Sequence, residues 1–238
     1  MFNENAVDYS PDAVANAPSA VRADFIVKTY THLTGAVMAF ASLLALMIQV
    51  VPAQTAEKIA VTAFSGWNWL LVLGAFMLVS TVAERWARSS TSVGMQYAGL
   101  SLFVVAEALL FFPMIYFAAR YGGSSVIPTA GLMTLALFAG LTAIVFVTKE
   151  DFSFLRGILM LGGLVAIGLI VCSALFGFNL GTIFTVAMIG LMCGYILYHT
   201  SNVLHHYAPG QHVAASLALF ASLATLFWYV LRLVMSRD

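Results

Sequence analysis

Charged side chains are scarce in this chain: Asp, Glu, Lys and Arg make up 8% of the residues, against 62% that are hydrophobic. A soluble domain carries about a quarter charged residues, so a soluble globular fold is excluded. A mean hydropathy of +0.97 places the chain in a membrane. Ten basic residues against ten acidic ones leave no net charge. No basic face invites nucleic acid, and no acidic arm solvates the chain. Cysteine is nearly absent; Cys172 and Cys193 both lie inside apolar runs and read as buried free thiols rather than a disulfide framework. A basic region ahead of an apolar core is missing from the amino terminus, where Glu4, Asp8 and Asp12 sit among Asn, Ala and Pro. Residues 1–24 therefore read as a mobile polar tail and not as a signal peptide. No two-histidine zinc helix and no nucleophile with a paired base stands out, so neither an enzyme nor a cofactor is expected.

What the chain does contain is apolar length. At about 1.5 Å of rise per residue a span needs roughly 20 apolar residues. Seven segments approach or reach that length: Tyr30 to Val51, Trp67 to Val82, Gln96 to Ala118, Val126 to Val147, Phe154 to Phe176, Leu180 to Tyr198 and Val213 to Leu233. The runs are continuously apolar rather than alternating, which excludes a membrane barrel. The reading is an all-α membrane protein, a compact seven-transmembrane-helix bundle over residues 25–238, with no room for a soluble catalytic domain. Gly157, Gly162, Gly163 and Gly168 in the fifth span, and Gly190 and Gly194 in the sixth, suit close helix approach. These two spans are expected at the bundle centre. Arg22, Lys28, Arg85, Arg88, Lys149 and Arg156 fall on the amino-terminal side, and Lys58, Arg120, Arg232 and Arg237 on the other. The bias favours a cytoplasmic amino terminus.

One charge breaks the pattern. Glu107 sits in the middle of Ser101-Leu-Phe-Val-Val-Ala-Glu-Ala-Leu-Leu-Phe-Phe112. An acidic residue at a helix centre costs roughly 2.5–3.5 kcal/mol on insertion scales. It is expected to be buried among helices, protonated, or facing a water-filled path. Pro113 removes a backbone hydrogen bond to Leu109, and the freed carbonyl either adds to a polar pocket near Glu107 or only accompanies a packing bend.

The loop after the fourth span reads Thr148-Lys-Glu-Asp-Phe-Ser-Phe-Leu-Arg156, with Phe138-Ala-Gly-Leu-Thr142 before it. Asp151 and Ser153 are N-cap types ahead of an apolar run. The string resembles the Thr-Lys-x-Asp-Phe-Ser-Phe-Leu signature of the Bax inhibitor-1 family, and Tyr198-His-Thr-Ser-Asn202 at the end of the sixth span extends the resemblance. The resemblance implies a seven-helix fold of the bacterial inner membrane or of eukaryotic internal membranes. It also implies links to a pH-sensitive calcium leak, to restraint of cell death and stress responses and, in some bacterial relatives, to a membrane-anchored AAA protease. Calcium-leaking members carry two aspartates, late in the sixth span and in the seventh, that share a proton. Here His199 and Ser222 stand at those positions, with Thr225 one turn further on.

Calcium takes six to eight oxygen ligands with carboxylates among them, whereas Ser222, Thr225 and Asn202 offer neutral oxygens and His199 a nitrogen. Glu107 supplies an acid only if the third span approaches the sixth and seventh. Tyr195, His199, Asn202 and His206 recur at helical spacing, forming either a pH-responsive gate or a solvated helix end. His199, His205, His206 and His212 match no structural zinc spacing. Two functions follow as expectations: a pH-sensitive ion leak with Glu107, His199, Asn202, Ser222 and Thr225 along its path, or a regulator that binds a membrane-bound protease or another membrane partner. The partners are otherwise the lipid bilayer alone, and a monomer is expected.

Overall fold

The computed structural model describes residues 13–63 and 65–236. Eight α-helices account for nearly all of them: α1 (Ser19–Val50), α2 (Ala53–Ala63), α3 (Gly66–Ala87), α4 (Val93–Tyr121), α5 (Val126–Thr148), α6 (Arg156–Phe176), α7 (Gly181–His205) and α8 (His212–Met235). Every helix except α2 is long and apolar enough to cross a membrane. The seven-span bundle read from the sequence is therefore present, and most helices extend beyond their apolar runs. Helix ends carry identifiable stops and starts. The Ser92 hydroxyl accepts from the Met95 N–H at 3.2 Å to start α4, and Gly177 ends α6 at φ 73°, a left-handed conformation that glycine adopts without a Cβ penalty. Asp151 caps the short 3-10 turn Phe152–Leu155 by accepting from the Ser153 N–H at 2.9 Å, as its N-cap reading requires.

Two expectations are corrected. The polar tail does not reach residue 24: α1 already starts at Ser19, and Val14 is fully buried with its N–H donated to the Tyr207 carbonyl at 2.8 Å. Glu4, Asp8 and Asp12, like Arg237, lie outside the described residues. The bundle centre is also not formed by the fifth and sixth spans. It is formed by α4 and α8, whose apolar stretches are mostly buried, while little of α6 is. Glycines do bring α6 and α7 together, since a Cβ on Gly162 would stand 2.8 Å from Leu191 and one on Gly194 2.8 Å from Leu159. That seam lies at the periphery, so close approach reveals a contact but not its depth. The tightest crossing is elsewhere: a Cβ on Gly99 of α4 would stand 2.5 Å from the Ala83 carbonyl and 2.6 Å from the Ala87 nitrogen of α3.

The short helix α2 was hidden in what reads as a link. Ala56 and Ala60, one turn apart, are buried, and the Tyr116 hydroxyl donates to the Ala53 carbonyl at 3.2 Å, tying α2 to α4.

Candidate functional site

Glu107 lies near the midpoint of the central helix and is 2% exposed, with no hydrogen-bond partner for Oε2. Unpartnered buried polar groups are rare in native proteins and call for an explanation. Its neighbours one turn away on the same face of α4 are Phe103 and Phe111, both buried. Phe103 meets Phe220 at 6.1 Å, and Phe111 meets Phe40 at 5.1 Å, Phe227 at 6.0 Å and Trp228 at 4.8 Å. Phe40 closes the ring by touching Phe220 at 5.7 Å. The carboxyl therefore sits within an aromatic layer contributed by α1, α4 and α8. Beyond Trp228 an open cavity of about 1130 Å³ reaches the end of the bundle, and Glu107 is not among its lining residues. The carbonyl freed by Pro113 does not join Glu107, because Leu109 is on the opposite, exposed face of α4.

The other residues of the expected path do not converge on this carboxyl. α4 packs against α8, but it does not pack along α7. On α8, Phe220 and Phe227 turn toward α4, and at about 100° per residue Ser222 points to the other side. Its hydroxyl donates to the Ala218 carbonyl at 3.0 Å, and that of Thr225 to Ala221 at 2.8 Å. Both groups are thus satisfied within their own helix. His199 lies about one and a half turns from the end of α7. Its ring stacks on Tyr195 at 5.8 Å and meets Tyr198 at 5.1 Å, while Nδ1 is buried without a hydrogen bond. Arg88 at the end of α3 lies near it. Arg88 also lies near the buried Tyr207 side chain. The solvated-helix-end reading is corrected at His199, which is packed among aromatic rings. Asn202 contributes its backbone carbonyl, which accepts from the N–H groups of His206 and Tyr207 at 2.9 and 3.1 Å.

A second polar cluster joins the loop after α5 to the end of α7. The Ser201 hydroxyl, fully buried, accepts from the Phe152 N–H at 2.9 Å and donates toward Asp151 Oδ1 at 3.3 Å. His206 Nε2 lies 3.0 Å from Asp151 Oδ2, an ion pair when the imidazole is protonated and a hydrogen bond when it is neutral. His205 Nδ1 lies 3.1 Å from the Ser201 carbonyl, and His212 faces His32 instead, ring centres 5.0 Å apart. His199 and His212 therefore stand apart from His205 and His206, whose rings lie 6.2 Å from each other beside the Ser201–Asp151 contact. Sequence reasoning identified Asp151 as a cap but missed Ser201. The available signal was the polar string itself, too specific for a simple turn, which needed a docking partner.

Partial burial alone would push the Asp151 carboxyl up, but the Ser153 N–H and the His206 contacts outweigh it and hold the carboxyl below its usual range. A depressed carboxyl stabilises the fold above its unfolded value, near 3.9, and that contribution is lost as pH falls through the folded value. Asp151→Asn is expected to lose about 1.5–3 kcal/mol at neutral pH through the charge-assisted bonds. Thermal unfolding followed against pH should show the wild-type and variant curves converging in acid. A gap that stays constant into strong acid would remove this role.

Comparison with known proteins shows what the chain is similar to. The sequence model of the family described as "Inhibitor of apoptosis-promoting Bax1" matches residues 22–238. The chain is 32% identical over 231 residues to Bax inhibitor 1 of Schizosaccharomyces pombe, covering 93% of this chain and 79% of that protein. It is 28% identical over 159 residues to an uncharacterized protein of Pseudomonas aeruginosa, covering 66% and 68% of the two chains. To protein lifeguard 4 of Mus musculus it is 30% identical over 135 residues, covering 56% and 55%.

Proposed function

Since the chain belongs to the Bax inhibitor-1 family, we propose that it modulates ion homeostasis by a slow, pH-sensitive leak whose path passes Glu107 and is held closed by the aromatic layer around it. The observation that carries this reading is the buried Glu107 carboxyl at the centre of the bundle, with no partner for Oε2. Ionisable groups at membrane depth are costly and mark ion or proton pathways by default. In this reading Glu107 is the intramembrane acid, and His199, beside Arg88, is the group whose protonation opposes cation entry. Ser222, Thr225 and Asn202 are polar lining, with the two hydroxyls released from their own helix only when the path opens. The expected setting is a bacterial inner membrane with a cytoplasmic amino terminus, and a monomer as the working unit.

A second reading is favoured by the missing acid pair. With His199 and Ser222 in place of two aspartates, and both α8 hydroxyls bonded within their helix, no calcium site is built among the described residues. It would then act as a regulator of a membrane-anchored AAA protease or another membrane partner, in stress response.

Purified protein in liposomes separates the two, because a leak survives purification and regulation through a partner does not. The leak reading expects calcium or proton flux in the wild-type protein. That flux falls to background in Glu107→Gln at unchanged thermal stability, and loses its pH dependence in His199→Asn. Silence of the wild-type protein, or full flux in Glu107→Gln, sinks the leak reading and leaves the regulator.

A further inference from the structure

At the end of the bundle remote from Asp151, the carboxyl-terminal ends of α4, α6 and α8 and the amino-terminal ends of α3 and α7 enclose the cavity of about 1130 Å³. Its walls include the aromatic residues Trp69, Phe117, Phe184, Trp228 and Tyr229. Trp69 and Trp228 stack at 5.9 Å and 15°, and Phe184 meets Tyr229 at 6.1 Å. Arg232 is the one charged side chain in the lining. It is in no ion pair among the described residues. One wall is built from α3 and α6, the two spans with the least burial, so the cavity borders the bilayer.

Trp and Tyr gather where a membrane meets water, which sets the level of this cavity at the headgroups. An unneutralised guanidinium at that level attracts acidic lipid, and its planar fork suits phosphate oxygens. The aromatic walls offer apolar area to acyl chains. The volume exceeds the usual small-molecule range of about 300–1,000 Å³ and suits a headgroup with the first part of its chains. A cation entering from this end would instead meet like charge.

We propose that the cavity binds an acidic phospholipid from the adjoining leaflet, with Arg232 on the phosphate and the Trp69–Trp228 stack against the acyl chains. The test uses the full chain with Trp67 and Trp86 replaced by Phe, which leaves Trp69 and Trp228 as the two reporters. In nanodiscs, bromine-labelled phosphatidylglycerol should quench their fluorescence with a roughly fivefold preference over bromine-labelled phosphatidylcholine, the scale of one basic side chain near an anionic surface. Arg232→Gln should abolish the preference, Arg232→Lys should retain part of it, and added salt should weaken it in the protein that keeps Arg232. Equal quenching by the two lipids, or a preference that survives Arg232→Gln, overturns the proposal. So does a salt-independent preference, which remains readable if Arg232→Gln does not fold. Competition by soluble glycerol phosphate would assign the cavity to a free anion, also against the proposal.

Discussion

Phe111→Ala is expected to produce the largest combined effect in this protein: a loss of about 3–5 kcal/mol in stability together with flux that the closed wild-type path restrains. Phe111 is 1% exposed and touches aromatic residues of both α1 and α8. Truncation leaves a void one helical turn from Glu107, on the side where Trp228 separates the carboxyl from the open cavity. Water entering that void would reach a carboxyl that otherwise has no partner for Oε2. If the path passes Glu107, Phe111→Ala raises calcium or proton flux in liposomes, and adding Glu107→Gln returns it to background. Phe184→Ala is the control, since Phe184 is also buried and lines the cavity but packs its ring on Tyr229 and lies on α7, away from the α4 face that carries Glu107. Equal flux from the two truncations would mean that any loosening of the bundle leaks, and the aromatic layer would lose its role as a gate.

How far the site was legible follows from what each signal encodes. Apolar length encodes spans, and all seven were readable because water and bilayer impose the same requirement on every crossing. Burial within the bundle is a different quantity. Lipid-facing and core-facing residues are both apolar, so Leu109 and Phe111 look alike in the sequence although one is exposed and the other buried. The central position of α4 was legible only at Glu107, the residue whose chemistry the lipid would reject. Glycine spacing misled for the same reason: it encodes how closely two helices approach, and α6 and α7 approach closely at the rim. The Asp151–Ser201 contact joins residues 50 apart, and no local periodicity carries such a pairing. α2 escaped because eleven residues are too few to span and because its buried face consists of two alanines.

The α3–α4 crossing yields the last expectation, a loss of at least about 3 kcal/mol in Gly99→Val and about 1–3 kcal/mol in Gly99→Ala. A Cβ at this position would meet backbone atoms, the Ala83 carbonyl and the Ala87 nitrogen, and backbone cannot rotate out of the way as a leucine side chain can. Ala83 and Ala87 are themselves buried, so small residues one turn apart on α3 receive the glycine of α4. Van der Waals contact at such seams supplies much of helix association in lipid. Forcing the helices apart would also displace Phe103, one turn beyond Gly99, and through it the layer around Glu107. Gly140 in α5 is the contrast, because nothing lies within 4 Å of its Cβ position. There Gly→Ala should gain up to about 1 kcal/mol from helix propensity alone. Thermal unfolding in detergent, followed by circular dichroism, reads both substitutions. Gly99→Ala as stable as Gly140→Ala would show that α3 can yield at this crossing, and that the position of Glu107 does not depend on it.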